Sequence, residues 1–209
     1  MNKNLTDLTL IVDKSGSMYS VKGKAEAGIN GLIADQKGED TDCTFTLVEF
    51  SDKHNTVQNA VPISRARRYT LNAGGGTALL DAVGDTINKI GARLRKLPES
   101  ERPGLVMVAI VTDGQEWASK EYTKAQIKTM ISHQTSAYDW QFTFLGADAN
   151  AFADASAIGI KTAASYSASN TDHAFGSVSS NVSRMRGATS GGLKIDNSYT
   201  GDEIRSMSE

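Results

Sequence analysis

A chain of 209 residues, 39% of them hydrophobic, is long enough to bury one substantial core and reads most simply as one domain. Its formal net charge of -2 leaves no general basic surface for nucleic acid or an anionic membrane. The single cysteine, Cys43, excludes an intramolecular disulfide, and with it a disulfide-stapled secreted module.

Residues 1–7 read as a polar lead-in without a hydrophobic signal segment, and no run approaches membrane-spanning length. A cytoplasmic location is therefore expected, or association with a virion for a chain of phage origin. Residues 8–12 are apolar on nearly every side, as in a central parallel strand covered by helices on both faces. They run into Asp13, Ser15 and Ser17, oxygen side chains at alternate positions, with Gly16 permitting a tight path. One reading is an ordinary turn after a strand. The other is a set of oxygen ligands for a hard cation such as magnesium or manganese.

Val21, Ala25, Ile29, Leu32 and Ile33 recur with helix period over 21–37, and Gly38 is placed to stop the helix. Gly28 and Gly31 cost helix propensity, so close packing against a neighbour is expected at both. Cys43 reads as a small core residue at the start of a strand over 43–50. A polar turn at 51–55 is too short for a crossover, so a third strand over 56–63 should pair antiparallel, and Pro62 marks it as a sheet edge. Arg65, Arg67 and Arg68 read as a solvated basic segment in preference to an anion or nucleic-acid site.

Gly74, Gly75, Gly76 and Thr77 open a second helical pattern through Val83, Ile87, Ile90 and Leu94. The Lys-Ser/Thr end of a nucleotide-binding loop is absent. Thr77 is either a helix N-cap or a hydroxyl ligand. Residues 105–111 form the most strand-like run, again central and parallel, and lead into Thr112, Asp113 and Gly114. A helix over 120–134, a strand over 140–145, an alanine-rich helix over 150–157 and a short outer strand within 158–164 follow. A last helix spans 171–186, with Phe175, Val178, Val182 and Met185 on one face. The domain is taken as 1–186, with a tail at 187–209 that is partly flexible or packed as a short extra element near 193–199.

This alternation predicts a three-layer, doubly wound, Rossmann-like α/β fold, its sheet mostly parallel with one antiparallel edge strand. Ligands of such folds bind beyond the carboxyl ends of the parallel strands, where the Asp13 and Asp113 loops both lie.

Asp-x-Ser-x-Ser at 13–17, a threonine after glycines at 77, and Thr-Asp-Gly at 112–114 together resemble the von Willebrand factor type A domain family and its metal-ion-dependent adhesion site. Order and spacing match over residues 5–186. The resemblance implies one Mg2+ or Mn2+ held directly by Ser15 and Ser17 and by the Thr77 hydroxyl. Asp13 and Asp113 would be its carboxylates, directly or through water. Neutral hydroxyls leave the cation with uncompensated charge, so an acidic side chain of a partner protein is expected to complete its coordination.

Gly16, Gly76, Gly114, Glu116 and Trp117 surround this set. Glu116 would bond a metal-bound water or sit at a helix start. Trp117 would be an exposed anchor for a partner or a half-buried cover for the last helix. The function implied is a metal-dependent protein-binding module, with no nucleic-acid or membrane partner. A structural or self-assembling subunit is the alternative, a homo-oligomer or part of a phage or multi-component complex. There, Asp202, Glu203 or Glu209 of the tail would fill the open coordination position. Metal-assisted phosphohydrolysis is remoter: His54, His133 and His173 are scattered and no nucleophile arrangement occurs, so no enzymatic activity is expected.

Overall fold

The computed structural model describes residues 1–113, 116–146, 151–166 and 170–208. Among these, six strands form one sheet: β1 (Asn2–Asp13), β2 (Asp42–Phe50), β3 (His54–Pro62), β4 (Pro103–Thr112), β5 (Gln141–Gly146) and β6 (Thr162–Ser165). Their order is β3-β2-β1-β4-β5-β6, parallel throughout except for the antiparallel β2–β3 hairpin at one edge. The helices are α1 (Lys22–Lys37), α2 (Leu79–Arg95), α3 (Lys124–Tyr138), α4 (Ala151–Ala157), α5 (Thr171–Ser190) and α6 (Gly201–Ser208). The chain leaves β1 toward β2 on one side and returns through α2 to β4 on the other. The strand order therefore reverses between β1 and β4, the crevice where doubly wound sheets bind ligands.

Strand alternation divides the core. Leu8, Leu10 and Val12 of β1 and Met107, Ala109 and Val111 of β4 face α1 and α5. Ile11, Val108 and Ile110 face α2 and α3. Both faces of the central strands are dry, which is why they read as continuous apolar runs. Where α1 meets α5, a Cβ on Gly28 would lie 2.4 Å from the Phe175 ring, so only glycine permits this approach. Gly31 has open space around its Cβ position, and the expectation of close packing fails there. Arg186, 1% exposed, donates from α5 to the Gln36 carbonyl at the end of α1 and to the Thr41 carbonyl (2.9 and 2.6 Å). Its charge meets the negative end of the α1 dipole.

Several boundaries differ from the sequence reading. The polar lead-in is strand: β1 begins at Asn2 and buries Asp7 at 1% exposure. Arg93, near the end of α2, makes this possible through a two-pronged contact at 2.8 and 2.9 Å. Helix α3 starts at Lys124, not at 120, because Thr123 and Gln126 form a reciprocal capping box. The Ile158–Ile160 stretch is a turn whose Gly159 has φ 87°, so the outer strand starts later than its apolar residues do. Helix α5 continues to Ser190, and the chain ends in α6. Between them Asn197 ties the segment down. Its amide donates to the Phe142 carbonyl at 3.0 Å, and its side-chain oxygen accepts from Asn181 at 2.7 Å. Asn150 lies outside the described residues.

Burial holds the Asp7 carboxyl above its usual pKa, and the hydrogen bonds and charge of Arg93 pull the other way. Removing only the cation should therefore cost more than removing the pair. Arg93→Ala is expected to lose about 3–5 kcal/mol in urea unfolding at pH 7. The Asp7→Asn/Arg93→Ala double variant should recover much of that loss, and strictly additive losses would contradict the buried-pair account.

Candidate metal centre

The first loop leaves β1 at Asp13, which is fully buried. Each carboxylate oxygen accepts a 2.6 Å bond, Oδ1 from the Ser15 backbone N–H and Oδ2 from the Thr112 hydroxyl at the end of β4. The Asx-type bond to Ser15 turns the chain so that Ser15 and Ser17 converge, with 3.0 Å between their Oγ atoms. Ser17 Oγ in turn donates to Asp113 Oδ1 at 2.8 Å. Burial raises the Asp13 pKa most strongly. Thr112 and Ser15 lower it, and the Asp113 charge raises it again.

The second loop is laced to the first by the backbone. Gly16 N–H donates to the Gly75 carbonyl (3.0 Å) and Gly74 N–H to the Lys14 carbonyl (2.7 Å). Gly75 has φ 87°, and a Cβ there would strike the Asp52 carboxylate at 2.6 Å. A Cβ on Gly76 would strike both Asp52 and the Trp117 ring (2.6 and 2.8 Å). Asp52, unremarked in the sequence, accepts from Gly76 N–H at 2.9 Å and so shapes this turn. Gly16, by contrast, has room for a Cβ, with Gly75 O at 3.6 Å. Its contribution is its N–H bond, not conformational freedom. Thr77 follows the glycines, 2% exposed.

Thr77 is not the cap of α2. That position belongs to Ala78, which offers no side-chain acceptor. The free N–H groups of the first turn are capped instead from the third loop. Leu80 N–H donates to Glu116 Oε2 (2.9 Å) and Asp81 N–H to Ser119 Oγ (3.1 Å). Glu116 also takes the N–H groups of Ala118 and Ser119 and the Ser119 hydroxyl, at 2.8–3.0 Å. Glu116 thus caps the start of a helix 36 residues away in sequence, not of the helix that follows it. Asp81 returns the contact by accepting the N–H groups of Lys120, Glu121 and Tyr122 (2.8–3.0 Å). This also explains the late start of α3. Asp81 and Ser119 were not legible as site residues, because neither stands in a recognisable motif. Gly114 lies outside the described residues.

Trp117 is 72% exposed with its ring over Gly76, and Tyr19, two residues beyond Ser17, is 77% exposed. Both aromatics therefore rim the convergence of the loops. At that exposure Trp117 is not half-buried.

The donor set fits a small hard cation. Adjacent ligands of an octahedral magnesium ion, each about 2.1 Å from the metal, stand about 3.0 Å apart. The Ser15–Ser17 and Ser17–Asp113 oxygens, 3.0 and 2.8 Å apart, already have that spacing. Among the described residues no group of three or more His, Cys, Asp and Glu is placed to hold a metal. A cation here would depend on hydroxyls.

Ionised Asp13 is a buried charge with a raised pKa, so it weighs against folding above that pKa and not below about 3.8. Thr112→Val removes its strongest donor and should cost about 2 kcal/mol at pH 7. The loss should shrink in urea unfolding as pH falls through the Asp13 pKa. A loss independent of pH would place the role of Thr112 elsewhere.

No sequence-family profile and no curated protein sequence matches the chain. Solved structures do. A von Willebrand factor type A structure from Catenulispora acidiphila aligns at TM-score 0.54 and 16% identity, over 89% of this chain and 43% of that one. Manganese-loaded TRAP protein of Plasmodium vivax aligns at 0.56 and 16%, covering 83% and 73%. BatB of Bacteroides thetaiotaomicron aligns at 0.53 and 15%, covering 86% and 98%. The chain thus spans less than half of the Catenulispora structure and nearly the whole of BatB. Sheet order, edge hairpin and these superpositions agree: the chain has the von Willebrand factor type A fold.

Proposed function

We propose that the chain is a metal-dependent protein-binding module in which one Mg2+ or Mn2+ ion binds an acidic side chain of a partner. The observation that carries this reading is the convergence of the Ser15, Ser17 and Asp113 oxygens, 3.0 and 2.8 Å apart in succession, at one rim of the sheet. Ser15, Ser17 and Thr77 would hold the ion through hydroxyls. Asp13, with each oxygen already accepting a short bond, would act through water, and Asp113 directly or through water. Bound there, the ion supplies a Lewis-acidic position for an external carboxylate. Tyr19 and Trp117 would flank the incoming side chain with apolar surface. The manganese carried by the TRAP neighbour is in keeping with a divalent cation on this fold.

The other readings find less support. Glu116, a carboxylate near the site that a hydrolase would need as a general base, is saturated by backbone and hydroxyl donors. His54 is paired with Asp85 at 2.7 Å. For self-assembly through the tail, Glu203 is held by Arg184 within the same chain, whereas Asp202 stays exposed beside Arg205, and Glu209 lies outside the described residues. Cys43 is buried, and burial pushes its thiol up to about 12, which suits a reducing cytoplasm without requiring it. No helix among the described residues is long and apolar enough to cross a membrane.

Calorimetric titration of chelated protein with Mn2+, with and without excess acetate, tests the reading. One ion per chain is expected, bound more tightly with acetate, and weaker by at least about tenfold in Ser17→Ala. Equal heats for wild type and Ser17→Ala, or no uptake even with acetate, would overturn it.

A further inference from the structure

We propose that Glu116 and Asp81 form a reciprocal latch that sets the metal affinity of the site without touching the ion. The inference rests on the metal-binding reading above and goes beyond it by assigning positioning residues outside the ligand set. Two of the three loops that reach the site are joined by backbone, through the Gly16–Gly75 and Gly74–Lys14 bonds. The third loop, which carries Asp113, joins the second mainly through side chains. Glu116 and Ser119 reach across to cap α2, and Asp81 on the first turn of α2 reaches back to three successive N–H groups.

The Thr77 carbonyl completes the contact, accepting from Trp117 and Ala118 N–H at 3.3 and 3.2 Å. Tyr122 then closes over Gly84, where a Cβ would meet its ring at 2.8 Å, and its hydroxyl accepts from Asn88 at 3.0 Å. The segment 116–122 has no helix or strand of its own. Its position therefore depends on these bonds. Because Thr77 precedes α2 and Asp113 precedes Glu116, the latch fixes the distance between a hydroxyl ligand and a carboxylate ligand. Preorganising ligands in this way strengthens a metal site even when the supporting residues are not ligands themselves.

The test pairs two readouts on intact protein for Asp81→Asn, Glu116→Gln and the milder Ser119→Ala. Each keeps or reduces side-chain volume and so leaves the core packing in place. In metal-free protein, amide hydrogen exchange over 117–122 should quicken in all three. Mn2+ affinity at 25 °C should fall about tenfold in the first two and less in the third. Ile90→Val on the same helix is the control for general loosening and should leave Mn2+ affinity unchanged. Latch variants that exchange faster yet bind Mn2+ like wild type would overturn the coupling and leave only a helix cap. So would an equal loss of affinity in Ile90→Val. Wild type that takes up no Mn2+ would overturn the metal reading, and this inference with it.

Discussion

Two carboxylates at the ends of adjacent parallel strands are the constraint around which this structure is built. The β1–β4 pairing sets Asp13 and Asp113 at one rim, and burial makes ionised Asp13 costly. Nearby donors offset that cost in part: Thr112 and the Ser15 N–H on Asp13, and the Ser17 hydroxyl on Asp113. A divalent cation bound as proposed would offset it further, with the Ser17 hydroxyl among its ligands and Thr112 and the Ser15 N–H still holding Asp13. On the proposed reading, stability and metal binding are two consequences of one electrostatic arrangement.

The rest of the rim follows from keeping three loops in register with that pair. Gly75 and Gly76 let the second loop pass between Asp52 and Trp117, and no larger residue fits. Residues 116–122 of the third loop have no helix or strand, and their anchors include polar side chains seated on the start of α2. Farther down the same helix, Arg93 compensates buried Asp7. Helix α2 therefore meets a carboxylate near each end, Glu116 on an N–H group of its first turn and Asp7 on Arg93 of its last. Its own sequence shows only an apolar stripe.

The features legible in the sequence were those in which neighbouring residues act together. The apolar runs of β1 and β4, the hairpin turn and the helix stripe of α2 are local patterns, and the sheet follows from their order. The motif residues Asp13, Ser15 and Ser17 were legible because they stand close together in sequence at the end of an apolar strand. A local turn, held by the Ser15 N–H bond to Asp13, makes the two serines converge. Features that depend on distant partners were not legible. Asp7 reads as polar surface until Arg93, 86 residues later, is set beside it. The three residues from Lys120 that read as the start of α3 are held outside it by Asp81, 39 residues earlier. The cap that does start the helix, Thr123 with Gln126, is local. Gly28 and Gly31 look alike in sequence, and only the position of Phe175 separates them.

The most direct measurement is anomalous diffraction at the manganese edge from crystals grown with Mn2+. The account predicts one peak per chain, within about 2.2 Å of the Ser15 and Ser17 hydroxyl oxygens. The Thr77 hydroxyl should face the peak, and a carboxylate or water should occupy its outer position. A peak elsewhere on the chain, or none at saturating Mn2+ with acetate present, would contradict it.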